Sequence, residues 1–388
     1  MERLVRTDLR HGDGRRLFVY GRYDGQQPPS SLPDEGPPEL HLRYEALTDR
    51  WVAISPARNT RPQSRAGHDD TAPACPLCPG GPELAFPYDA AVFENRFPTL
   101  LPSPPRPPQL EGPTAPSQGR CEVVLYTPTH EGSLATLTSQ ELAQVVAIWT
   151  DRSRELWSDP THAYVLIFEN RGEDVGATLS HPHGQIYALD HIPALARARV
   201  HALEAHRDRH GSCLTCEVVQ RDEGAKQRIL AENDSFTVAV PFAANWPYEI
   251  HVRAKRHGAH RMSDLTVTER HDLAMALRTV VRIYDRFRPG HPLAYMMVCQ
   301  EAPASASGGP AGDWHLSFEF LPPNRASDKL KVRASVETAA GLFINDTVPE
   351  VSAAQLAAVS TDPEGAVEAP IPDVEVALAA SVSHPDVS

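Results

Sequence analysis

Residues 168 to 188 of the 388-residue chain read FENRGEDVGATLSHPHGQIYA. If the segment from His181 to Tyr187 is extended, successive side chains point to opposite faces, and His181, His183 and Gln185 share one face. One strand then presents two imidazoles and an amide to a single site. Ordinary surface histidines beside a proline turn are the alternative interpretation of this stretch.

Such a pair of histidines suits chemistry at phosphorus. A free imidazole, with a pKa of about 6.5, is largely uncharged at neutral pH and is a good nucleophile. A sugar 1-phosphate is an easy leaving group, because a phosphate monoester has a second pKa of about 6. A histidine can therefore attack the α-phosphorus of a nucleotide sugar, hold the nucleotide as a phosphoramidate and pass it to a second sugar phosphate, which is covalent catalysis with ping-pong kinetics.

An internal repeat surrounds this stretch. Each copy has a C-x-x-C pair, a short segment containing Asn, a β-like segment that ends in His, and a Leu-Thr-x-x-Glu helix start of the capping-box type. These parts lie at 75–78, 93–97, 121–130 and 137–141 in the first copy, and at 213–216, 232–236, 249–257 and 265–269 in the second.

Both predicted helices have one apolar face that can cover a sheet, with Leu142, Val145, Val146 and Trp149 in the first and Leu273, Ala276, Leu277 and Val280 in the second. Strands alternating with helices predict an α+β fold of two sheet-plus-helix halves joined into one larger unit. We place the first half at 41–204 and the second at 205–346. Residues 1–40 form an N-terminal extension, and 347–388 an acidic tail that we expect to be partly disordered, with a helix near its start.

Composition limits the function classes. The chain is 41% apolar and 22% charged, as in ordinary globular proteins, and its net charge of -13 disfavours nucleic acid as a partner. No run of about 18 apolar residues and no signal peptide is evident, so we expect no membrane association and a cytoplasmic protein. Six cysteines are too few for a disulfide scaffold, and the two C-x-x-C pairs favour metal binding.

The segment from His181 to Gln185 resembles the active-site signature of the galactose-1-phosphate uridylyltransferase family, the transferase branch of the histidine-triad superfamily. The resemblance covers residues 40 to 346 and implies two histidine-triad-like repeats, each an antiparallel-rich sheet with packed helices. It implies that His183 carries the uridylyl group and that Gln185 hydrogen-bonds the transferred phosphoryl group. The hydrolase branch usually has a third histidine at this position, so Gln185 favours transfer to a phosphorylated acceptor.

The resemblance also implies a structural zinc site. Two thiolates from a C-x-x-C pair and two imidazoles make a closed tetrahedral site, which would fix the strand that carries the nucleophile. The residues at the family positions are Cys75, Cys78, His130 and His181.

Further matches concern the substrate pocket. By resemblance, Arg58 and Arg61 face phosphates, although a solvated face is the alternative interpretation of this arginine pair. The resemblance also implies that Asn95 and Arg96 touch the nucleoside. Asn170 and Thr178 match residues that contact the phosphates.

The second half departs from the family pattern. Some members bind iron through a glutamate and three histidines, but the corresponding residues here are Arg199, Gln300, Ser317 and Glu319, so we expect no iron site of that form. Other members bind a second zinc, for which Cys213, Cys216 and His257 supply three ligands. At the position of the fourth ligand the sequence has Ser317, and we take His315 to be out of phase with it on the strand. Two alternatives therefore stay open, a second zinc site and a metal-free remnant of one.

The segment 329–341 matches family residues that contact the sugar phosphate across a dimer interface. Lys331 and Glu337 fit as substrate contacts, whereas Val332 and Ser335 break the pattern. The resemblance thus implies a homodimer that moves UMP from UDP-glucose to galactose 1-phosphate. Open alternatives are the same chemistry with another nucleotide or sugar phosphate, a hydrolase, and a non-catalytic nucleotide-binding protein.

Overall fold

The computed structural model describes residues 2–26, 28, 39–60, 75–305, 311–326, 329–360 and 370–379. A twelve-stranded sheet organises them, in the order β10-β11-β12-β14-β13-β8-β9-β7-β5-β2-β1-β17. Two small sheets, β4-β3-β6 and β15-β16, lie outside it. The strands are β1 (Glu2–Arg10), β2 (Arg16–Tyr20), β3 (His41–Glu45), β4 (Arg50–Ile54), β5 (Ala90–Glu94), β6 (Thr114–Ala115), β7 (Gly119–Leu125), β8 (Tyr164–Arg171), β9 (His183–Leu189), β10 (Ile229–Glu232), β11 (Phe236–Ala239), β12 (Ile250–Ala254), β13 (Tyr295–Gln300), β14 (Ser317–Leu321), β15 (Asn324–Ala326), β16 (Lys329–Leu330) and β17 (Val374–Leu378).

Five α-helices accompany the strands, and none of those in the described ranges combines the length and apolarity required to cross a bilayer. They are α1 (Ser139–Trp157), α2 (Ala194–His210), α3 (Leu214–Ala225), α4 (Val267–Phe287) and α5 (Pro349–Ala357).

The large sheet consists of two halves with the same order of elements. The first half runs β5, β7, α1, β8, β9 along the chain, and the second runs β11, β12, α4, β13, β14. The halves meet where β8 and β13 pair antiparallel, from Tyr295 opposite Arg171 to Gln300 opposite Leu166. The α+β class and the two-repeat architecture predicted from the sequence are therefore confirmed.

Both predicted helix starts are present. Thr138 and Glu141 form the capping box of α1, and Thr266 and Glu269 form that of α4. All eight residues assigned to the apolar helix faces are buried. Since α1 also contacts α4, the two helices join the repeats on one side of the sheet, and the opposite side is left for the site.

Both chain termini extend the large sheet. The segment assigned as an N-terminal extension forms β1 and β2, with β2 antiparallel to β5 of the first repeat. The tail contains α5, near the predicted position, and β17, which pairs in parallel with β1 from Glu2 opposite Val374 to Arg6 opposite Leu378. At least part of the tail is therefore ordered, because its alternating Val-Glu-Val residues find a strand edge to pair with.

The turn between β1 and β2 buries the imidazole of His11. The residue is 3% exposed, neither ring nitrogen has a hydrogen-bond partner among the described residues, and the ring packs edge-on against Phe93. Burial, assisted by the nearby Arg15, lowers the pKa of His11 to about 4. The folded protein thus holds this imidazole neutral.

This arrangement predicts a pH-dependent loss of stability. The pKa of His11 in the folded protein lies below the unfolded value of about 6.5. The contribution of neutral His11 to the free energy of unfolding is therefore fully present above pH 6.5 and is lost as the pH falls towards 4. Between pH 7 and 4.5 it amounts to about 2.5 kcal/mol. Urea unfolding measures the free energy of unfolding at both pH values. We expect it to fall between pH 7 and 4.5 in the unaltered protein and in His11→Leu, but by about 2.5 kcal/mol less in the variant. Equal drops in both proteins would contradict the prediction.

Candidate active site

The strand β9 presents its side chains as the sequence predicted. Residues 183, 185, 187 and 189 are half-buried and alternate with the fully buried residues 184, 186 and 188, so His183 and Gln185 share a face. β7 lies on one side of β9, with Leu125 opposite His183, and β8 lies on the other, with Phe168 opposite Gln185. The nucleophile candidate therefore begins a strand in the middle of the sheet, which holds it rigidly.

The glycine between these two residues has a packing reason. A Cβ atom at Gly184 would lie 2.2 Å from the hydroxyl of Tyr126 and 3.1 Å from the carbonyl oxygen of Phe168. Tyr126 is buried beneath the strand. Only glycine allows the tyrosine to approach the backbone so closely, and this contact fixes the strand between His183 and Gln185.

The backbone selects the tautomer of His183. Its Nδ1 lies 2.7 Å from the carbonyl oxygen of His181. A carbonyl oxygen can only accept, so Nδ1 carries the proton and donates it, and the lone pair of the ring is on Nε2. His183 also lines a cavity of about 50 Å³ together with Asn170, Ser180 and His181. An imidazole with its lone pair on Nε2, beside a cavity, is the geometry that a nucleophile requires.

Four metal-binding side chains lie directly before β9. The ligand atoms of Cys75, Cys78, His130 and His181 all lie within 4.8 Å of one another. The Nδ1 atoms of His130 and His181 are 3.4 and 3.6 Å from the sulfur of Cys78. The predicted ligands are thus brought together with the thiolate and imidazole donors of a tetrahedral site.

Neighbouring groups orient these ligands. The Nε2 of His181 donates to the carbonyl oxygen of Thr127 over 2.9 Å and lies 3.3 Å from the hydroxyl of Tyr88, which leaves the Nδ1 lone pair facing the cluster. Burial lowers the pKa of His181 to about 4, so its ring is neutral, as a ligand must be. Burial and the adjacent Cys75 raise the pKa of Cys78 to about 11, a penalty that a bound cation removes.

The second repeat contains the same kind of cluster, which corrects our assignment. The ligand atoms of Cys213, Cys216, His257 and His315 lie within 4.8 Å of one another. The Nε2 of His315 is 3.5 and 3.4 Å from the two sulfurs, and its Nδ1 donates to the carbonyl oxygen of Ala254 over 2.9 Å. Placing His315 out of phase was wrong, because side chains two residues apart share a face of an extended segment, and His315 precedes Ser317 by two residues, as His181 precedes His183.

The repeats are therefore related residue by residue at their centres. His181, His183 and Gln185 correspond in position to His315, Ser317 and Glu319. The signal was present in the sequence, since His-x-Ser-x-Glu repeats the spacing of His-Pro-His-Gly-Gln. Ser317 replaces the nucleophile and is not a missing metal ligand.

Several predicted pocket residues lie on the same side of the sheet as His183. The amide of Asn95 donates to the Oε1 of Gln185 over 3.4 Å, which turns the Gln185 amide nitrogen away from Asn95. Arg58 lies in the helical turn Pro56–Thr60, and its Nη1 donates to the hydroxyls of Thr99 over 2.9 Å and Tyr187 over 3.3 Å. Thr99 and Tyr187 were not identified from the sequence, although Tyr187 follows Gln185 by two residues on the same face.

Three further residues were predicted to contact the substrate, namely Arg96, Thr178 and Arg61. The guanidinium of Arg96 stacks on Phe97 at 5.5 Å, and Thr178 is half-buried in the loop before β9. Arg61 lies outside the described residues.

Lys331 and Glu337 form a buried ion pair of 2.8 Å. The ammonium of Lys331 also donates to the carbonyl oxygens of Asn245, over 2.8 Å, and Ile344. All of these partners belong to the second repeat, so within a single chain this pair is joined to the C-terminal segment and has no described contact with His183.

Comparison with known proteins identifies the family. The model for the N-terminal domain of galactose-1-phosphate uridyl transferase matches residues 35–193, and that for the C-terminal domain matches 199–361. The galactose-1-phosphate uridylyltransferase of Thermotoga maritima is 39% identical over 321 residues, covering 82% of this chain and 98% of the relative. That of Rattus norvegicus is 31% identical, covering 73% and 78%.

Solved structures agree with the sequence comparison. A uridylyltransferase structure superposes with a TM-score of 0.74 at 33% identity, covering 82% of this chain and 98% of that one. An ADP-glucose phosphorylase from Arabidopsis thaliana has the same fold, with a TM-score of 0.61 at 23% identity, and covers 84% of this chain and 100% of that one. The chain therefore belongs to the galactose-1-phosphate uridylyltransferase family.

Proposed function

We propose that this protein transfers UMP from UDP-glucose to galactose 1-phosphate through a uridylyl-His183 intermediate. The observation that carries the proposal is the tautomer of His183, whose Nδ1 donates to the carbonyl oxygen of His181, so that the lone pair of the ring is on Nε2, the nitrogen that would attack phosphorus. Membership of the family supplies the substrates.

The reaction has two displacement steps at the same phosphorus atom. Nε2 of His183 attacks the α-phosphorus of UDP-glucose, an N–P bond forms, and the bond to the bridging oxygen breaks to release glucose 1-phosphate. A phosphate oxygen of galactose 1-phosphate then attacks the same phosphorus, the N–P bond breaks, and UDP-galactose leaves. Gln185, oriented by Asn95, donates its amide N–H to the phosphoryl oxygen as charge develops there. Arg58, Arg61, Arg96, Asn170 and Thr178 are the proposed phosphate and nucleoside contacts.

A panel of acceptors tests the proposed substrate. Protein labelled by UDP-glucose carrying radioactive α-phosphorus is separated from free nucleotide and mixed with galactose 1-phosphate, glucose 1-phosphate, inorganic phosphate or buffer alone. We expect the two sugar phosphates to discharge the label, and galactose 1-phosphate to yield UDP-galactose. Discharge by inorganic phosphate alone would identify a phosphorylase, and rapid loss in buffer a hydrolase.

The role of Gln185 gives a separate prediction. Replacing Gln185 by alanine removes one hydrogen-bond donor to the transition state and should lower the rate of uridylylation by about 10²- to 10³-fold. Glu is the residue at the corresponding position of the second repeat, and Gln185→Glu should be slower still because a carboxylate repels the phosphoryl oxygens. Single-turnover rates measure both variants, and a loss below about threefold in Gln185→Ala would exclude this role.

We also propose zinc as the metal of both clusters, because two thiolates and two imidazoles suit zinc and close the tetrahedron around it. The ion would hold His181 and His315 in place and would take no part in the chemistry. A cytoplasmic location fits reduced thiols of this kind.

A homodimer is the proposed assembly. Seven large apolar side chains between Leu330 and Val351 are exposed, among them Val332 at 77% and Leu342 at 64%. A second copy of the chain would cover such a surface. In it, Lys331 and Glu337 would support the segment that approaches the sugar phosphate of the partner. Sedimentation equilibrium at micromolar concentration checks the assembly, and a monomer there would refute it.

A further inference from the structure

A cavity of about 210 Å³ lies in the second repeat, on the face of β12 and β14 that corresponds to the catalytic face of the first. Helices α2 and α3 form its other walls. The sheet contributes polar groups, and the helices contribute apolar groups together with the polar side chains of Arg199 and Thr215. The lining side chains that matter below are Arg253, Ser317, Glu319, Leu203, Leu214 and Val218.

The repeat relation shows what has changed at this position. In the first repeat β7 places Leu125 opposite His183, and in the second β12 places Arg253 opposite Ser317. The second cavity thus has an arginine and a serine at the positions that correspond in register to Leu125 and His183 of the first repeat. Without the imidazole it cannot hold a nucleotide covalently, but it has gained a cation and a hydroxyl.

The carboxylates around the cavity already have close partners. Glu319 accepts from Arg199 over 2.5 Å and from Gln300 over 3.2 Å. Asp222 accepts from Arg228 over 2.6 Å. Glu249 accepts from Nε2 of His251 and from the backbone N–H groups of Asn245 and Trp246, at 2.7 to 2.9 Å.

Arg253 is less well compensated. Its Nη2 donates to Nδ1 of His251 over 2.7 Å, and its only carboxylate contact within the described residues is Asp222 at 3.5 Å. The side chain is 15% exposed. Burial lowers the pKa of Arg253, the direction that follows when desolvation of a guanidinium exceeds the attraction of its partners.

Ser317 supplies a second donor beside Arg253. The residue is 6% exposed and lines the cavity, and its hydroxyl makes no hydrogen bond to any residue in the described parts of the chain. A hydroxyl that faces a cavity and has no such protein partner can donate to a ligand or to water. A guanidinium and a hydroxyl that face the same cavity are the donors that bind phosphate oxygens.

We propose that this cavity binds a small phosphate monoester, with Arg253 and Ser317 donating to the phosphoryl oxygens. Leu203, Leu214 and Val218 form the wall that contacts the organic substituent. The site is separate from His183 and does not depend on the proposed transfer reaction. It would allow the second repeat to respond to a phosphorylated metabolite.

Binding to the full chain tests this proposal. Glucose 1-phosphate and inorganic phosphate are titrated by calorimetry into the unaltered protein, Arg253→Met and Ser317→Ala. Arg58→Ala, which changes the first repeat, serves as the matched control. We expect a binding event that survives Arg58→Ala and weakens at least about tenfold in Arg253→Met and severalfold in Ser317→Ala.

The outcomes separate the possibilities. Ser317→Ala removes one oxygen atom and should fold even if Arg253→Met does not, and thermal unfolding verifies this. Equal affinities in the unaltered protein and in a folded Ser317→Ala and Arg253→Met would overturn the site. Equal affinity for inorganic phosphate and the monoester would overturn the role of the apolar wall. Failure of His183 to become labelled would concern the transfer reaction alone.

Discussion

Replacement of His183 by alanine should abolish transfer, with a loss of about 10⁴-fold or more in turnover. The reason is that the alanine variant has no atom that can form the N–P bond, so both displacement steps disappear together. Direct attack of galactose 1-phosphate on UDP-glucose would also require two phosphate groups of like charge to approach without the covalent intermediate.

The measurement is retention of radioactive phosphorus on the protein after incubation with UDP-glucose labelled at the α-phosphorus. We expect close to one label per chain in the unaltered protein and none in His183→Ala. His201→Ala is the control, because His201 lies exposed on α2. Labelled His183→Ala protein would show that another residue is the nucleophile, and unlabelled but active His183→Ala would indicate a single displacement.

The sequence predicted the centre of the first repeat and both long helices because local patterns determine them. Alternation in β9 placed His183 and Gln185 on one face, and the capping boxes at Thr138 and Thr266 located both long helices. These features depend on residues within one turn or one strand of each other. The first metal cluster was predicted from the family resemblance, which implied the four residues that the structure brings together.

Other features depend on contacts between distant parts of the chain. β17 is a strand because it pairs with β1, more than 360 residues earlier, and a five-residue segment in an acidic tail carries no local sign of that partner. The burial of Lys331 against Glu337 likewise needs carbonyl groups from Asn245 and Ile344. His315 was misassigned for a different reason, since side chains two residues apart share a face and His315 is therefore in phase with Ser317.

The second large effect is expected from the metal. His181 is at once a cluster residue and the residue whose carbonyl oxygen accepts the proton of Nδ1 of His183. Loss of the ion would release His181, and with it the hydrogen bond that fixes the tautomer of the nucleophile. Transfer should therefore depend on the first cluster more than on the second, because Ser317, which corresponds to His183 in the second repeat, is not a nucleophile in the proposed reaction.

Two matched variants separate the clusters. Elemental analysis should find about one zinc ion per cluster in the unaltered protein and the loss of one ion in either Cys78→Ser or Cys216→Ser. Both variants should unfold at a lower temperature, because a structural metal contributes to folding. Cys78→Ser should in addition lose roughly 10- to 100-fold or more in labelling of His183, and Cys216→Ser much less. Equal losses of labelling would mean that the metal supports the fold as a whole, whereas the greater loss in Cys78→Ser ties it to the strand that carries the nucleophile.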